Sequence, residues 1–312
     1  MSARFVGVVR AWALGALGAL CVGASAATPY TLPTPMSRPG FLAVQPWDVN
    51  DAGVVVGASD AEAFVLEAGD LRSLALPFVH ARAIATGISN QGLIVGTYYD
   101  AQESAQGFLY EDGTYSTYSV ASGSNTSIRH VSSDGRFISG TFSGSGGWMH
   151  GFVLDRWTGA FTDVFTPGTL TIAQGVNIHG QVVGSYSAAS GRGAFVLDTV
   201  SGQRTDHATL GGLDRVFFRD INDSGLIAGS LGSRAFVGVV DDLYLFPDEA
   251  GVDVSFGYGL NNRGDLVGFS ENFADGSLLG WVAAPVPEPH ALALWILGAL
   301  AMLTRRQRRS RF

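Results

Sequence analysis

Six segments of this chain share one pattern, and the repetition constrains the fold more than any other feature. They are "VNDAGVVVG" from Val49, "ISNQGLIVG" from Ile88, "VSSDGRFISG" from Val131, "VNIHGQVVG" from Val176, "INDSGLIAG" from Ile221 and "LNNRGDLVG" from Leu260. Each runs from an apolar residue through Asn or Ser, two mostly polar residues and Gly into an apolar run that ends on Gly. The first glycines stand at 53, 92, 135, 180, 225 and 264, spaced 39 to 45 residues apart. A second landmark follows each first one: "EAFVL" from Glu62, "QGFLY" from Gln106, "HGFVL" from His150, "GAFVL" from Gly193, "RAFVG" from Arg234 and "LGWVA" from Leu279. A period near 43 residues suits a four-stranded propeller blade.

The physics of one repeat is local. A strand enters Asn-x-x-Gly, where Asn and Gly tolerate left-handed backbone and let the chain reverse. A β-branched apolar strand follows, then a variable loop, then the aromatic strand. A further turn, clearest in "DRWTGAFTD" from Asp155 and "DTVSGQRTD" from Asp198, leads to a fourth strand. The third copy carries one extra residue between its glycines, as a β-bulge in that strand would produce. Gly at 42 residues and charged residues at only 15% agree with many short strands and tight turns.

Strand counting predicts how the array ends. The sixth repeat stops after its third strand, near Ala283, while "YTLPTP" from Tyr30 reads as a spare fourth strand. A ring closed by that N-terminal strand leaves no open edge. Residues 27–285 are therefore expected to form an all-β, six-bladed propeller of four-stranded antiparallel blades. A parallel β-helix is the other repeat architecture weighed, but its coils are usually shorter and lack tight hairpins. The repeats resemble the HAF family of extracellular repeats, on Glu62-Ala63-Phe64, His150-Gly151-Phe152, Gly193-Ala194-Phe195 and Arg234-Ala235-Phe236. The His of the family's tripeptide is mostly absent here. The resemblance implies a surface location and no established activity.

The two ends of the chain carry addressing signals rather than fold. Residues 1–26 read as a secretory signal: Arg4 and Arg10, an apolar stretch from Ala11 to Val22, and a cleavage site formed by Ala24 and Ala26 before Ala27. Leu20 precedes the single cysteine, Cys21, where a lipoprotein signal would want a small residue. The exported chain then has no thiol and no disulfide. At the other end, Val286-Pro287-Glu288-Pro289 precedes the apolar run Ala291 to Leu303 and the cluster Arg305, Arg306, Arg308, Arg309 and Arg311. The prolines keep that backbone extended, and the arginines would hold the end in the cytoplasm. This order of parts resembles the PEP-CTERM sorting signal of Gram-negative bacteria. The resemblance implies a short transmembrane helix, processing by an exosortase, and delivery to the cell surface or extracellular matrix of an exopolysaccharide producer. An ordinary tail anchor is the plainer alternative, and it leaves export unchanged.

With signal and tail set aside, twelve arginines face 27 acidic residues, and the body carries a net charge near −15. Such a surface repels phosphate backbones, which argues against nucleic acid as a partner. No strand–GxGxxG–helix unit or GxSxG elbow occurs. His80, His130, His150, His179, His207 and His290 do not fall at metal-ligand spacing, and surface or capping roles are expected for His130 and His179. Asp51, Asp134 and Asp223 lie in equivalent turns with one carboxylate each, too few for a calcium loop, so Asx-type turn bonds are expected there. No catalytic residue, metal or cofactor is assigned. The Asn-x-x-Gly turns should share one face of the ring and the variable loops the other. Tyr98, Tyr99, Trp148, Tyr186 and Phe273 are assigned to that loop face as candidate contacts for sugar or protein, against the plainer reading that these rings pack between blades. The expected role is a non-enzymatic surface or matrix module that binds exopolysaccharide or an envelope component. A polysaccharide lyase or hydrolase on the same scaffold is the alternative, and a mechanical spacer a third.

Overall fold

A computed structural model of the chain describes residues 28–36 and 43–286. The signal segment with Ala24, Ala26 and Ala27, and the tail from Pro287 through Glu288, Pro289 and the arginine cluster, lie outside the described residues. So does the apolar segment 291–303. Among the described residues no helix is long and apolar enough to cross a membrane.

Six four-stranded antiparallel sheets span residues 45–73, 82–118, 124–164, 169–207, 216–245 and 254–283, taken as blades 1 to 6. Their first strands line a central axis, each beside the first strand of the next blade, and the sixth returns to the first. This is the expected six-bladed propeller. Ring closure also follows the expectation. Thr34–Met36 forms the outer strand of blade 6, pairing antiparallel with Ser277–Ala283. Pro35 is tolerated there because an outer strand needs no donor on its solvent side. The clasp extends outward through the Tyr30–Pro285 bridge, and the Val286 N–H donates to the Pro29 carbonyl at 2.8 Å.

The two sequence landmarks turn out to be cross-strand partners. The glycine closing each apolar run sits opposite the aromatic of the next strand: Gly57 faces Phe64, Gly96 Phe108, Gly140 Phe152, Gly184 Phe195, Gly229 Phe236 and Gly268 Trp281. A Cβ at Gly184 would lie 2.6 Å from the Phe195 ring, so the glycine makes the slot and the ring fills it. All six rings are buried. The core is accordingly not one mass but six layers between blades. Phe108 packs with Val56, Val65 and Ile88 between blades 1 and 2, and Trp281 packs with Val237 and Phe246 between blades 5 and 6.

Bulges occur at a different place from the one expected. In the third blade the extra residue is absorbed in the hairpin, because Val131 pairs with Ile138 whereas Val49 pairs with Val55. A turn accepts an added residue without breaking the alternation of a buried strand. The register shifts lie instead in the first strand of every blade, at Trp47, Thr86, Arg129, Gln174, Arg219 and Tyr258. That position is what builds the axis.

Candidate functional site along the propeller axis

The axis has two storeys. The lower one lies under the Asn-x-x-Gly turns. Asp48, His130 and Asp220, each next to a bulge in blades 1, 3 and 5, meet there: His130 Nε2 is 3.4 Å from Asp48 Oδ2 and 3.2 Å from Asp220 Oδ1. Each carboxylate is held by backbone. Val49 and Ile88 donate to Asp48 Oδ1 and Oδ2, and Ile221 and Leu260 donate to Asp220 Oδ1 and Oδ2, all at 2.7 Å. The Val176 N–H points at His130 Nδ1 across 3.3 Å. Ile88, Val176 and Leu260 belong to blades 2, 4 and 6, so each odd blade clasps its even neighbour. The even blades place Gly87, Gly175 and Gly259 at the matching positions. A Cβ at Gly175 would stand 2.6 Å from the Asp220 Cα, and one at Gly259 would collide with the Asp48 backbone. Alternating large polar and glycine thus lets six chains converge on one axis.

This overturns the expectation for His130, which is neither a surface group nor a cap. Its side chain is 12% exposed, because the bulge at Arg129 turns it inward. Burial opposes charge on the ring, yet Asp220 and Asp48 outweigh it and push the His130 pKa up to about 9. Burial likewise raises Asp220 to about 6, with His130 pulling it back. The three donor atoms lie close enough together for a cation. His130 Nε2 stands between the two carboxylates, within reach of both.

At the triad's own end of the axis the turns seal their face. Asn50 Oδ1 accepts from Ala52 and Val54 at 3.0 Å, an Asx-type turn, while its Nδ2 donates to the Ser89 carbonyl in the next blade at 3.2 Å. Asn177, Asn222 and Asn261 repeat the inter-blade bond. Asp51 and Asp223 do not make the expected turn bonds; they form an outer belt. Asn90 Nδ2 donates to Asp51 at 2.6 Å, Asn262 Nδ2 to Asp223 at 2.7 Å, and the Asn262 N–H to Asp51 at 2.8 Å. Asp134 alone bonds within its own turn, to Ser132 and the Arg136 N–H.

The upper storey opens toward the variable loops. The bulged residues Trp47, Arg129, Arg219 and Tyr258 gather there. The Trp47 and Tyr258 rings are 4.5 Å apart, and the Arg219 guanidinium lies 4.9 Å from the Tyr258 ring. Trp47 Nε1, Arg129 Nε and Arg219 Nε are buried and lack a hydrogen-bond partner. Burial and the neighbouring charge of Arg219 lower the Arg129 pKa, while the nearby Tyr99 and Tyr258 act against them. An alignment of the repeats on their Asn landmark would have shown both rings of residues. The position three before it reads Trp47, Thr86, Arg129, Gln174, Arg219, Tyr258, and the next reads Asp48, Gly87, His130, Gly175, Asp220, Gly259.

The five aromatic candidates divide. Trp148 and Phe273 lie at loops of blades 3 and 6 and are 44% and 66% exposed. Those blades are diametrically opposed, so the two rings do not form one subsite. Tyr98, Tyr99 and Tyr186 are in strands Ile94–Tyr99 and Gln181–Ala188 rather than in loops. Tyr98 stacks on Phe78 at 5.2 Å, Tyr186 joins the layer between blades 3 and 4, and Tyr99 carries the Arg82 guanidinium 3.5 Å above its ring.

No family model matches the chain, and no curated protein matches it. Solved structures do. A protein assigned as TolB from Agrobacterium tumefaciens is 13% identical, with a TM-score of 0.53 over 84% of this chain and 91% of that one. A gluconolactonase from Xanthomonas campestris is 12% identical, with a TM-score of 0.49 over 85% and 98%. A fucose-bound lectin from Aleuria aurantia is 13% identical, with a TM-score of 0.45 over 80% and 93%. At such identities the similarity is one of fold alone, and binding proteins and enzymes both stand among the neighbours.

Proposed function

We propose that this protein is an exported, non-enzymatic binding module of the cell surface or extracellular matrix. Its ligand is exopolysaccharide or an envelope component, met on the variable-loop face. The observation that carries this reading is the contrast between the two faces. On the turn face, Asn and Asp side chains are spent on inter-blade bonds. The loop face presents the exposed rings of Trp148 and Phe273, with unpaired arginines at its centre. Exposed aromatic faces pack on sugar C–H surfaces. Export and exosortase processing rest on the end sequences described above, which also place the body outside the inner membrane.

The test is incubation of the purified protein with exopolysaccharide, following both retention and polymer length. Saturable retention at unchanged length is expected, and Trp148→Ala should weaken it. Shortened polymer would replace this reading with a lyase or hydrolase. Absence of saturable retention on any matrix fraction would leave a spacer.

A further inference from the structure

The axis holds two arginines in a setting that the fold itself does not explain. Seven other arginines pair with carboxylates, among them Arg82 with Glu103 and Arg204 with Asp206. Arg129 and Arg219, in blades 3 and 5, form no ion pair among the described residues, and the Nε of each is buried without a partner. The neighbouring carboxylates do not serve them. Asp48 and Asp220 turn to the lower storey, where their four oxygens accept four backbone N–H groups. A buried donor left unmade costs free energy, and two such cations side by side cost more. An acidic protein that nevertheless keeps two unpaired cations on its axis has a place for an anion.

The surroundings specify the anion further. Trp47 is linked to Arg219 through the Tyr258 ring, and its indole N–H is also buried and unpartnered. Rings next to guanidiniums suit a ligand that joins a carboxylate to an apolar-faced, hydroxyl-bearing ring. Inorganic phosphate would use the arginines and leave the rings idle. The site residues are not sealed from solvent: Trp47, Arg129, Arg219 and Tyr258 are each only half-buried.

We propose that the axial channel on the loop side is a binding site for a carboxylate-bearing sugar, a uronate unit, held between Arg129 and Arg219 with its ring on Trp47 and Tyr258. It deepens the binding reading above by naming a ligand class, and it rests on that reading for its biological setting only. The site would fix one acidic residue of a polymer while the loop rings touch its neighbours.

The experiment is titration of the full chain with glucuronate and galacturonate oligomers, followed by Trp fluorescence and calorimetry, with glucose oligomers and inorganic phosphate as comparison probes. Uronate oligomers should bind saturably and glucose oligomers should not. Arg129→Gln and Arg219→Gln should each weaken binding about tenfold or more, as loss of a charge-assisted pair would. Trp47→Phe, which keeps a ring and removes the N–H, should weaken it less, and far-ultraviolet dichroism checks that each variant folds. No binding of either uronate, equal binding by the arginine variants, or full competition by phosphate at the uronate's own concentration overturns the proposal. Failure here is separable from failure of the surface reading. Undiminished polymer retention by Arg129→Gln and Arg219→Gln would sink the axial site alone, and unaltered retention by Trp148→Ala would count only against the loop face.

Discussion

The two ends of the propeller axis are built from the same six strands and obey opposite rules. Beneath the Asn-x-x-Gly turns, Asp48, His130, Asp220 and the Asn belt find partners in the next blade. One layer away, Arg129, Arg219 and Trp47 keep buried donors unpaired. Adjacent residues of one strand thus serve two purposes, and a single bulge separates them. The comparison teaches that polar burial at an axis is stabilising only where each group is matched.

The blade layers set the scale against which the axis is judged. Phe152→Ala, which empties the slot opposite Gly140, should cost about 3–5 kcal/mol in urea unfolding. Asp220→Ala should come next, at about 3 kcal/mol, because it strands the Ile221 and Leu260 N–H groups and one side of His130. If it costs no more than an exposed substitution, the lower storey is not a clasp. Gly175→Ala should cost about 2 kcal/mol, since its methyl group meets the Asp220 Cα and backbone must move.

The protonation of the triad sharpens the contrast in a way no loop residue can imitate. The folded chain holds the His130 proton more tightly than the unfolded chain does, with a pKa near 9. Its contribution is intact below about pH 6.5 and lost as pH rises through 9. Asp220, raised to about 6, acts with the same sign at lower pH. The urea midpoint should therefore fall between pH 6 and pH 9.5, by on the order of 2 kcal/mol in stability, and His130→Gln should flatten that slope. A wild-type midpoint that is level or rises across this window would show that the triad does not store a proton. Asn90→Ala, in the outer belt, should cost only about 0.5–1 kcal/mol, because its partner Asp51 is solvated and regains water. Trp148→Ala should leave stability within about 0.5 kcal/mol and alter retention of polymer instead.

Much of the architecture was legible because it is local. The turn at Gly53 needs positive φ, the glycine at 184 needs to be small because Phe195 stands opposite, and both requirements recur in every repeat. Strand counting likewise exposed the closing role of the segment from Tyr30, since a missing fourth strand is a deficit that the chain must settle somewhere. The inner strands are less legible. The extra residue after Val131 suggests a bulge, yet the hairpin absorbs it, and nothing in a single repeat marks the bulges of the first strands. Tyr98 and Tyr186 fell on strands for the same reason: where a variable loop begins depends on how far the pairing continues.

By itself the sequence determined the repeat, its turns, its buried rings and the number of blades, since each follows from contacts between residues a few positions apart. Only the tertiary structure decided that Asp48, His130 and Asp220 meet, and that Arg129 and Arg219 stand together above them. Those residues share two repeat positions but differ in type, so the period places them in two rings and leaves their contacts undecided. Closing the ring brings six first strands onto one axis, and there a residue's neighbours are set by symmetry rather than by chain distance.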